Sequence, residues 1–405
     1  MSRLHLRNES IFLILIFTIN VQYTVNQYVK IPFISSHYFI RVNLLIGENK
    51  FFISFPINTF NPFTWITRAY DISRYSSVFK AYEFNDITIG NQLYPAQVVN
   101  DIISFKDTPY TFNFQFYSTN ISSYQIKDAG IGLAYKYIGN DIKKFSFVYQ
   151  LKQQGVIDSA KFSFLCENDS DYLGSIYFGN IPSNILANKY KTSCNVKDNN
   201  DQLWNCDIQR LIIKLHEKQF QFRLTKANKI IWNTINSFNY VPLAFFNILK
   251  QYLNVNESEL TYEQCGVSRN NERIHIECYD NNNLDIYRNI QITIRIANTN
   301  FILNFNDIFD CANENNKCYC LYAYKPSFQN NNYFYLTYAF FHKYITTFDY
   351  EKNQLTFYST TPFDKQFFSL TNQDRHSIYT LIYITLLLGI IVLMYLKCLN
   401  NIINI

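Results

Sequence analysis

Two segments far apart in the chain repeat one pattern. FFISFPINTFNPFTWI (51–66) and NKIIWNTINSF (228–238) each run an apolar strand into Asn-Thr, at Asn58-Thr59 and at Asn233-Thr234. Short runs of Ile, Phe and Trp that stop at Asn read as buried strands ending in a tight loop. A strand-to-loop unit that returns once in each half calls for two related lobes. The division falls between Ser193 and Asn205, where the polar stretch 197–202 suits a linker.

The rest of the chain agrees with a strand-rich pair of lobes. Residues 38–46 and 50–55 are strand-like and separated by Gly47-Glu48-Asn49, a hairpin break. Further strand-like runs lie at 87–89, 111–116, 160–165, 175–178, 211–215, 274–278, 290–296 and 301–305, and helical patterns are confined to 147–154, 242–253 and 338–344. The 48% hydrophobic and 18% aromatic content is enough to fill two cores. The formal charge of +5 is spread without a Lys/Arg run, so it reads as solvated surface and not as a nucleic-acid groove.

Both ends carry membrane signals. Arg3, His5 and Arg7 precede an apolar run at 11–19, the pattern of a secretory signal peptide over 1–26, with an uncleaved signal anchor as the alternative. Residues 378–396 hold no charge and are flanked by Arg375 and Lys397, which predicts a transmembrane helix at 378–397. A GPI-anchor signal is the competing reading. The expected organisation is an N-terminal lobe at 27–195, a C-terminal lobe at 196–362, a stalk at 363–377, the span, and a cytosolic tail at 398–405. That makes a single-pass type I protein of the cell surface or of a secretory or endolysosomal compartment. Eight cysteines precede the span, enough for four disulfides in an oxidising compartment, and Cys398 follows it. Cys318-Tyr319-Cys320 also has a metal-like look, but no His stands at zinc-site spacing. Asn120, Asn168 and Asn256 each begin an N-x-Ser sequon and are glycosylation candidates.

Taken in order, these segments resemble the pepsin-like aspartic peptidases (family A1) over most of the chain. In that family each lobe has a strand followed by Asp-Thr-Gly-Ser or Asp-Thr-Gly-Thr; here the Thr is kept twice and the Asp is Asn twice. YFIRVNLLIGENKFFISF is similar to the family's opening hairpin, and Trp65 follows Asn58 by seven positions, where the family has a Trp. DAGIGLAY (128–135) resembles its Asp-Gly-Ile-Leu-Gly-Leu segment, and LGSIYFGNIPSN (173–184) its Gly-Ser-Ile-Tyr-Phe-Gly-Gly hairpin. YFYLTYAFFHKYITTFDYEKNQLTF (333–357) resembles its closing segment. The resemblance implies a mostly-β, bilobal acid-protease fold with two related six-stranded-barrel-like lobes. It also makes Cys278 and Cys311 candidates for the C-lobe disulfide, with Cys318 or Cys320 as alternative partners. Tyr82 is either the counterpart of the flap Tyr or an ordinary strand aromatic.

The family's chemistry needs two facing carboxylates that share a proton, one acting as base toward water. An Asn amide has no such proton chemistry near neutral pH. Asn58 and Asn233 therefore predict a degenerate site with no intact catalytic residue. The family's following Gly is Phe60 and Ile235, which crowd the centre, and Thr337 replaces a second loop Gly. Thr59 and Thr234 are expected to cross-link the lobes, as their counterparts do. The reading is a membrane-anchored homologue without proteolysis whose interlobe cleft can bind an extended peptide or a protein segment. One alternative is an active aspartic endopeptidase drawing on Asp71, Asp101 or Asp207, none of which is followed by Thr-Gly or Ser-Gly. The other is a structural surface glycoprotein whose cleft is filled by Phe60 and Ile235. None of the six histidines stands in a zinc-protease motif, and neither a nucleophile elbow nor a phosphate-binding Gly loop occurs. No metal or cofactor is expected.

Overall fold

The computed structural model describes residues 28–36, 39–48, 50–67, 80–89, 92–105, 111–119, 129–135, 145–166, 173–196, 203–215, 218–224, 228–232, 234, 239–252, 266–270, 273–278, 289–314, 317–322, 324–326 and 333–363. The chain divides after Phe363 into two units. The signal peptide, the linker 197–202, Asn120, Asn168, Asn256, Asn233, Ile235, Asp71 and the span 378–397 with its tail lie outside the described residues. Among the described residues no helix is long and apolar enough to cross a membrane.

The first half is built from strands β1 (Tyr28–Ser36), β2 (Phe39–Ile46), β3 (Phe51–Asn58), β4 (Trp65–Thr67), β5 (Lys80–Ile89), β6 (Gln92–Phe105), β7 (Thr111–Thr119) and β8 (Ala129–Gly132). The predicted break at Gly47 is the β2–β3 turn: Gly47 has φ +75° and Lys50 φ +54°, and Ile46 pairs with Phe51. β7 shows why such sequences form strands. Phe112, Phe114 and Phe116 face inward while Thr111 and Asn113 face out, the period of two that a half-buried strand requires. Each inward ring contributes about 1.5–3 kcal/mol by leaving water. The helix Phe147–Gln153 seats Phe147 among Phe105, Phe112, Phe114 and Phe178, with centroids 5.0–6.3 Å away. Gln150 fixes that helix to β7 by exchanging two hydrogen bonds with the Gln115 backbone, at 2.8 and 2.9 Å.

Next come β9 (Lys161–Cys166), β10 (Leu173–Gly179), β11 (Tyr190–Asn195), β12 (Asn205–Asp207), β13 (Arg210–Leu215), β14 (Lys218–Phe222), β15 (Lys229–Trp232) and β16 (Asn239–Val241). Then follow the helix Leu243–Tyr252, β17 (Gly266–Asn270), β18 (Arg273–Cys278), β19 (Gln291–Ile296), β20 (Thr299–Asn304), β21 (Phe309–Glu314), β22 (Lys317–Tyr322), β23 (Tyr324–Pro326) and β24 (Tyr333–Leu336). The helix Tyr338–Lys343 and the hairpin β25 (Ile345–Asp349) and β26 (Gln354–Ser359) close the chain's described part. β25 pairs with β9, and β26 with β11, so the last hairpin joins the sheet of the first half in the order β11-β26-β25-β9-β10-β1. Phe162 of β9 and Phe348 of β25 stack at 4.5 Å and 4°, with Trp204 edge-on to both. A disulfide joins Cys194 of β11 to Cys206 of β12, with Cα atoms 6.2 Å apart; the sequence alone did not single out this pair.

The repeated unit is visible in the pairing. β3 ends beside β8, which runs parallel to it, with Asn58 opposite Gly132. In the second half β15 runs parallel to β24, with Trp232 opposite Leu336, the residue before Thr337.

Candidate functional site

The two Asn-Thr loops meet at the junction of the halves. Asn58 is the last residue of β3 and is only 4% exposed. Its Oδ1 accepts the N–H of Phe60 at 2.8 Å and of Asn61 at 2.9 Å. An Asn side chain that bonds the backbone two and three residues ahead closes an Asx turn. The amide oxygen is thereby occupied in shaping its own loop.

Thr59 and Thr234 bind across the junction in a reciprocal pattern. The Thr59 hydroxyl donates to the Trp232 carbonyl at 2.8 Å, and the Thr234 hydroxyl donates to the Ile57 carbonyl at 2.7 Å. Each backbone N–H donates to the other's hydroxyl, at 3.2 and 3.3 Å. Both residues are buried, so these bonds form out of water. These bonds tie the first half of the chain to the second.

The cross-link belongs to a closed circuit of hydrogen bonds. Leu133 N–H donates to the Asn58 carbonyl at 2.7 Å. The Trp204 indole N–H donates to the Leu133 carbonyl at 2.7 Å. Trp232 N–H donates to the Trp204 carbonyl at 3.3 Å, and the Trp232 carbonyl receives the Thr59 hydroxyl. Trp204 is fully buried and lies just beyond the predicted linker. Nothing in its local spacing marks it in the sequence, because both its partners come from other strands.

Gly132 is required by a close approach. A Cβ there would collide with the backbone of Phe63. Gly130 is likewise covered by the Trp65 indole, which explains the position of that Trp after Asn58. Thr337 takes the level of Gly132 in the second half and is buried with extended backbone, φ −119° and ψ −152°. A β-branched residue fits there, so the second crossing differs from the first.

Phe60 stands half-buried on the other side of the loop. Its ring stacks on Tyr335 of β24 at 6.0 Å and 28°. Tyr240 and Tyr333 pack edge-on to Tyr335, at 6.4 and 6.3 Å. The aromatic group thus bridges the halves beside Asn58. The side chain of Tyr82, on β5, lies outside the described residues, as do those of Cys278 and Cys311.

The site is electrically neutral where it is described. Asn58 and Thr59 bond to no carboxylate among the described residues. Asp101 lies in β6 opposite Phe114, and Asp207 in β12 opposite Lys229. No group of three or more His, Cys, Asp and Glu residues placed to hold a metal occurs among the described residues. Among the described residues Asn61 Nδ2 is a buried donor without a hydrogen-bond partner, the kind of group a ligand carbonyl would satisfy.

A family model described as eukaryotic aspartyl protease matches residues 63–360. The match begins just past the first Asn-Thr loop and includes the second. The crystal structure of an aspartic proteinase from Irpex lacteus is similar with a TM-score of 0.61 and 14% identity, covering 82% of this chain and 98% of that one. At that identity the likeness bears on the fold alone. No curated protein sequence matches.

Proposed function

Because the chain belongs to the eukaryotic aspartyl protease family, we propose that it is a member without peptidase activity. In this reading it is anchored in a membrane by its C-terminal apolar segment and binds an extended peptide or protein segment in the interlobe cleft. One observation supports the loss of activity: Asn58, where the resemblance puts the family's Asp, is a neutral amide whose oxygen is committed to the N–H groups of Phe60 and Asn61. A catalytic carboxylate takes a proton from water, and a neutral amide cannot. Asn233 repeats the change in sequence. The Phe60–Tyr335 stack supports the same reading, because it fills space beside the loop that a Gly would leave open.

The retained threonine cross-link supports binding without cleavage. Holding both loops in register keeps the groove between the lobes, and an extended chain can lie there by backbone pairing. Asn61 Nδ2 supplies an unmet donor for it. The type I orientation, the secretory or cell-surface placement and the glycans at Asn120, Asn168 and Asn256 belong to the same proposal and rest on sequence signals.

The test is a peptidase assay of the purified chain from pH 3 to 7 on a mixed peptide library, with and without a statine-type inhibitor. No cleavage is expected at any pH. Cleavage that the inhibitor blocks would overturn the reading and favour an active endopeptidase. Peptide retention by the same sample, read by mass spectrometry of the eluate, separates a binder from a purely structural glycoprotein.

A further inference from the structure

The sheet β17-β18-β22-β21 carries four cysteines in three adjoining strands: Cys278 in β18, Cys318 and Cys320 in β22, and Cys311 in β21. The backbone register sets Cys278 directly opposite Cys318 and Cys311 directly opposite Cys320. Direct antiparallel partners share a face, and so do positions two apart on a strand. All four positions therefore lie on one face. Cys278–Cys318 is then the C-lobe pairing among those the resemblance implies, and we propose that Cys311–Cys320 forms a second cross-strand disulfide beside it.

Distance decides between the pairings. Direct antiparallel partners have Cα atoms about 4.5 or 5.5 Å apart, inside the window of about 4.4–6.8 Å that a disulfide spans. Cys278 and Cys311 lie on the two strands flanking β22. Two strand spacings separate them by at least about 9.4 Å, beyond the limit of about 7 Å. The diagonal pairs Cys278–Cys320 and Cys311–Cys318 stand about 7–8 Å apart, also too far. A single tetrathiolate zinc fails on the same ground. Its outermost ligands would be offset by two strands and two residues, about 11–12 Å. Bonds of about 2.3 Å to one ion cannot close that gap.

Each bond forms by thiol–disulfide exchange. One thiolate of the pair attacks the disulfide of an oxidising carrier, such as oxidised glutathione or a disulfide-bearing oxidoreductase. The second thiolate then displaces the reduced carrier from the mixed disulfide. Two electrons and two protons leave the pair, and the carrier is reduced to thiols.

The inference rests on the secretory placement proposed above, and one experiment tells the two apart. The full chain is expressed through a eukaryotic secretory pathway, alkylated at lysis, and digested without reductant by trypsin and chymotrypsin. Cleavage after Tyr319 parts Cys318 from Cys320. Mass spectrometry should find Cys278 linked to Cys318, and Cys311 linked to Cys320. A Cys278–Cys311 or Cys318–Cys320 link would overturn the pairing. So would four alkylated cysteines beside an intact Cys194–Cys206 bond. If Cys194 and Cys206 are alkylated too, the secretory placement fails along with it. Cys278→Ser gives a second readout: Cys318 should become alkylated while Cys311 stays protected, and alkylation at Cys311 would refute the proposal.

Discussion

Thr59→Val tests whether the threonine cross-link is the fastening between the halves. Valine keeps the branched shape and removes the hydroxyl. The donation to the Trp232 carbonyl at 2.8 Å and the acceptance from Thr234 N–H at 3.3 Å go with it, as does a long contact from the Thr234 hydroxyl at 3.4 Å, whose own hydrogen bonds Ile57. Both abandoned groups remain in a site that water does not reach, since Trp232 is 0% and Thr234 3% exposed. An orphaned buried donor or acceptor costs about 1–3 kcal/mol, so the pair should cost about 2–6 kcal/mol. Against a total stability of about 5–15 kcal/mol, that is a large fraction. Thr59→Ser keeps the hydroxyl and loses one methyl, worth about 0.8 kcal/mol. The assay is urea unfolding followed by tryptophan fluorescence, which two of the chain's three tryptophans report from beside the junction. Val should lower the midpoint several-fold more than Ser. Equal midpoints for Val and Ser would refute the reasoning, because the hydroxyl would then contribute nothing at the junction.

Three further outcomes are expected. Gly132→Ala places a Cβ against the Phe63 backbone and should cost upwards of about 3 kcal/mol; a folded yield and melting temperature equal to the parent's would contradict the close approach. Burial pushes the Tyr344 hydroxyl up to about 12, and this hydroxyl both donates to the Ile302 carbonyl and accepts its N–H at 3.0 Å. A raised pKa stabilises the fold fully below the ordinary value of 10.0 and loses that contribution as pH rises toward 12. The loss should amount to about 2.7 kcal/mol. Urea midpoints measured from pH 9 to 12 should therefore fall, and less steeply in Tyr344→Phe. Burial tends to raise Glu351, but the Lys152 hydrogen bond and the Ala160 N–H outweigh it and hold the carboxyl below 4.5. This contribution is present above that value and is lost as pH falls through the lowered one. Because the pair is more than a third exposed, Glu351→Gln should cost no more than about 1 kcal/mol at pH 7. Denaturation midpoints at pH 7 and pH 3 should show the difference shrinking at the lower pH.

Much of this fold was legible because its signals are local. The hairpin at Gly47, the helix at 147–154 and the alternation of Phe112, Phe114 and Phe116 each follow from residues within a short window. Periodicity decides them before any long-range contact forms. The Asn-Thr repeat also drew attention to Thr59 and Thr234, which bond to each other across the two halves. What stayed hidden is non-local. The Trp204 circuit draws on four segments, and no spacing between Leu133, Trp204 and Trp232 announces it. Tyr335 as the partner of Phe60 depends on the parallel pairing of β24 with β15. The Cys194–Cys206 bond depends on how β11 and β12 are brought together across the 197–202 segment. The long strand β6 was missed because Pro95 interrupts its pattern, although a proline can sit near a strand's end without breaking it.

The arrangement around Asn58 separates two demands that one loop usually meets together. Joining the halves needs hydroxyls and carbonyls in fixed places, and Thr59, Thr234, Ile57 and Trp232 supply them. Turning the loop needs an acceptor for the N–H groups of Phe60 and Asn61, and an amide oxygen serves as well as a carboxylate oxygen. Neither demand involves proton transfer. In the proposed reading, an amide in place of a carboxylate keeps the turn's two hydrogen bonds and avoids a buried charge, which would itself need compensation. The same logic accounts for Phe60. If, as proposed, no water is held against the loop, a ring there is free to stack on Tyr335 and add contact between the halves. Under the proposed function, such a junction holds the halves together with groups that take no part in proton transfer.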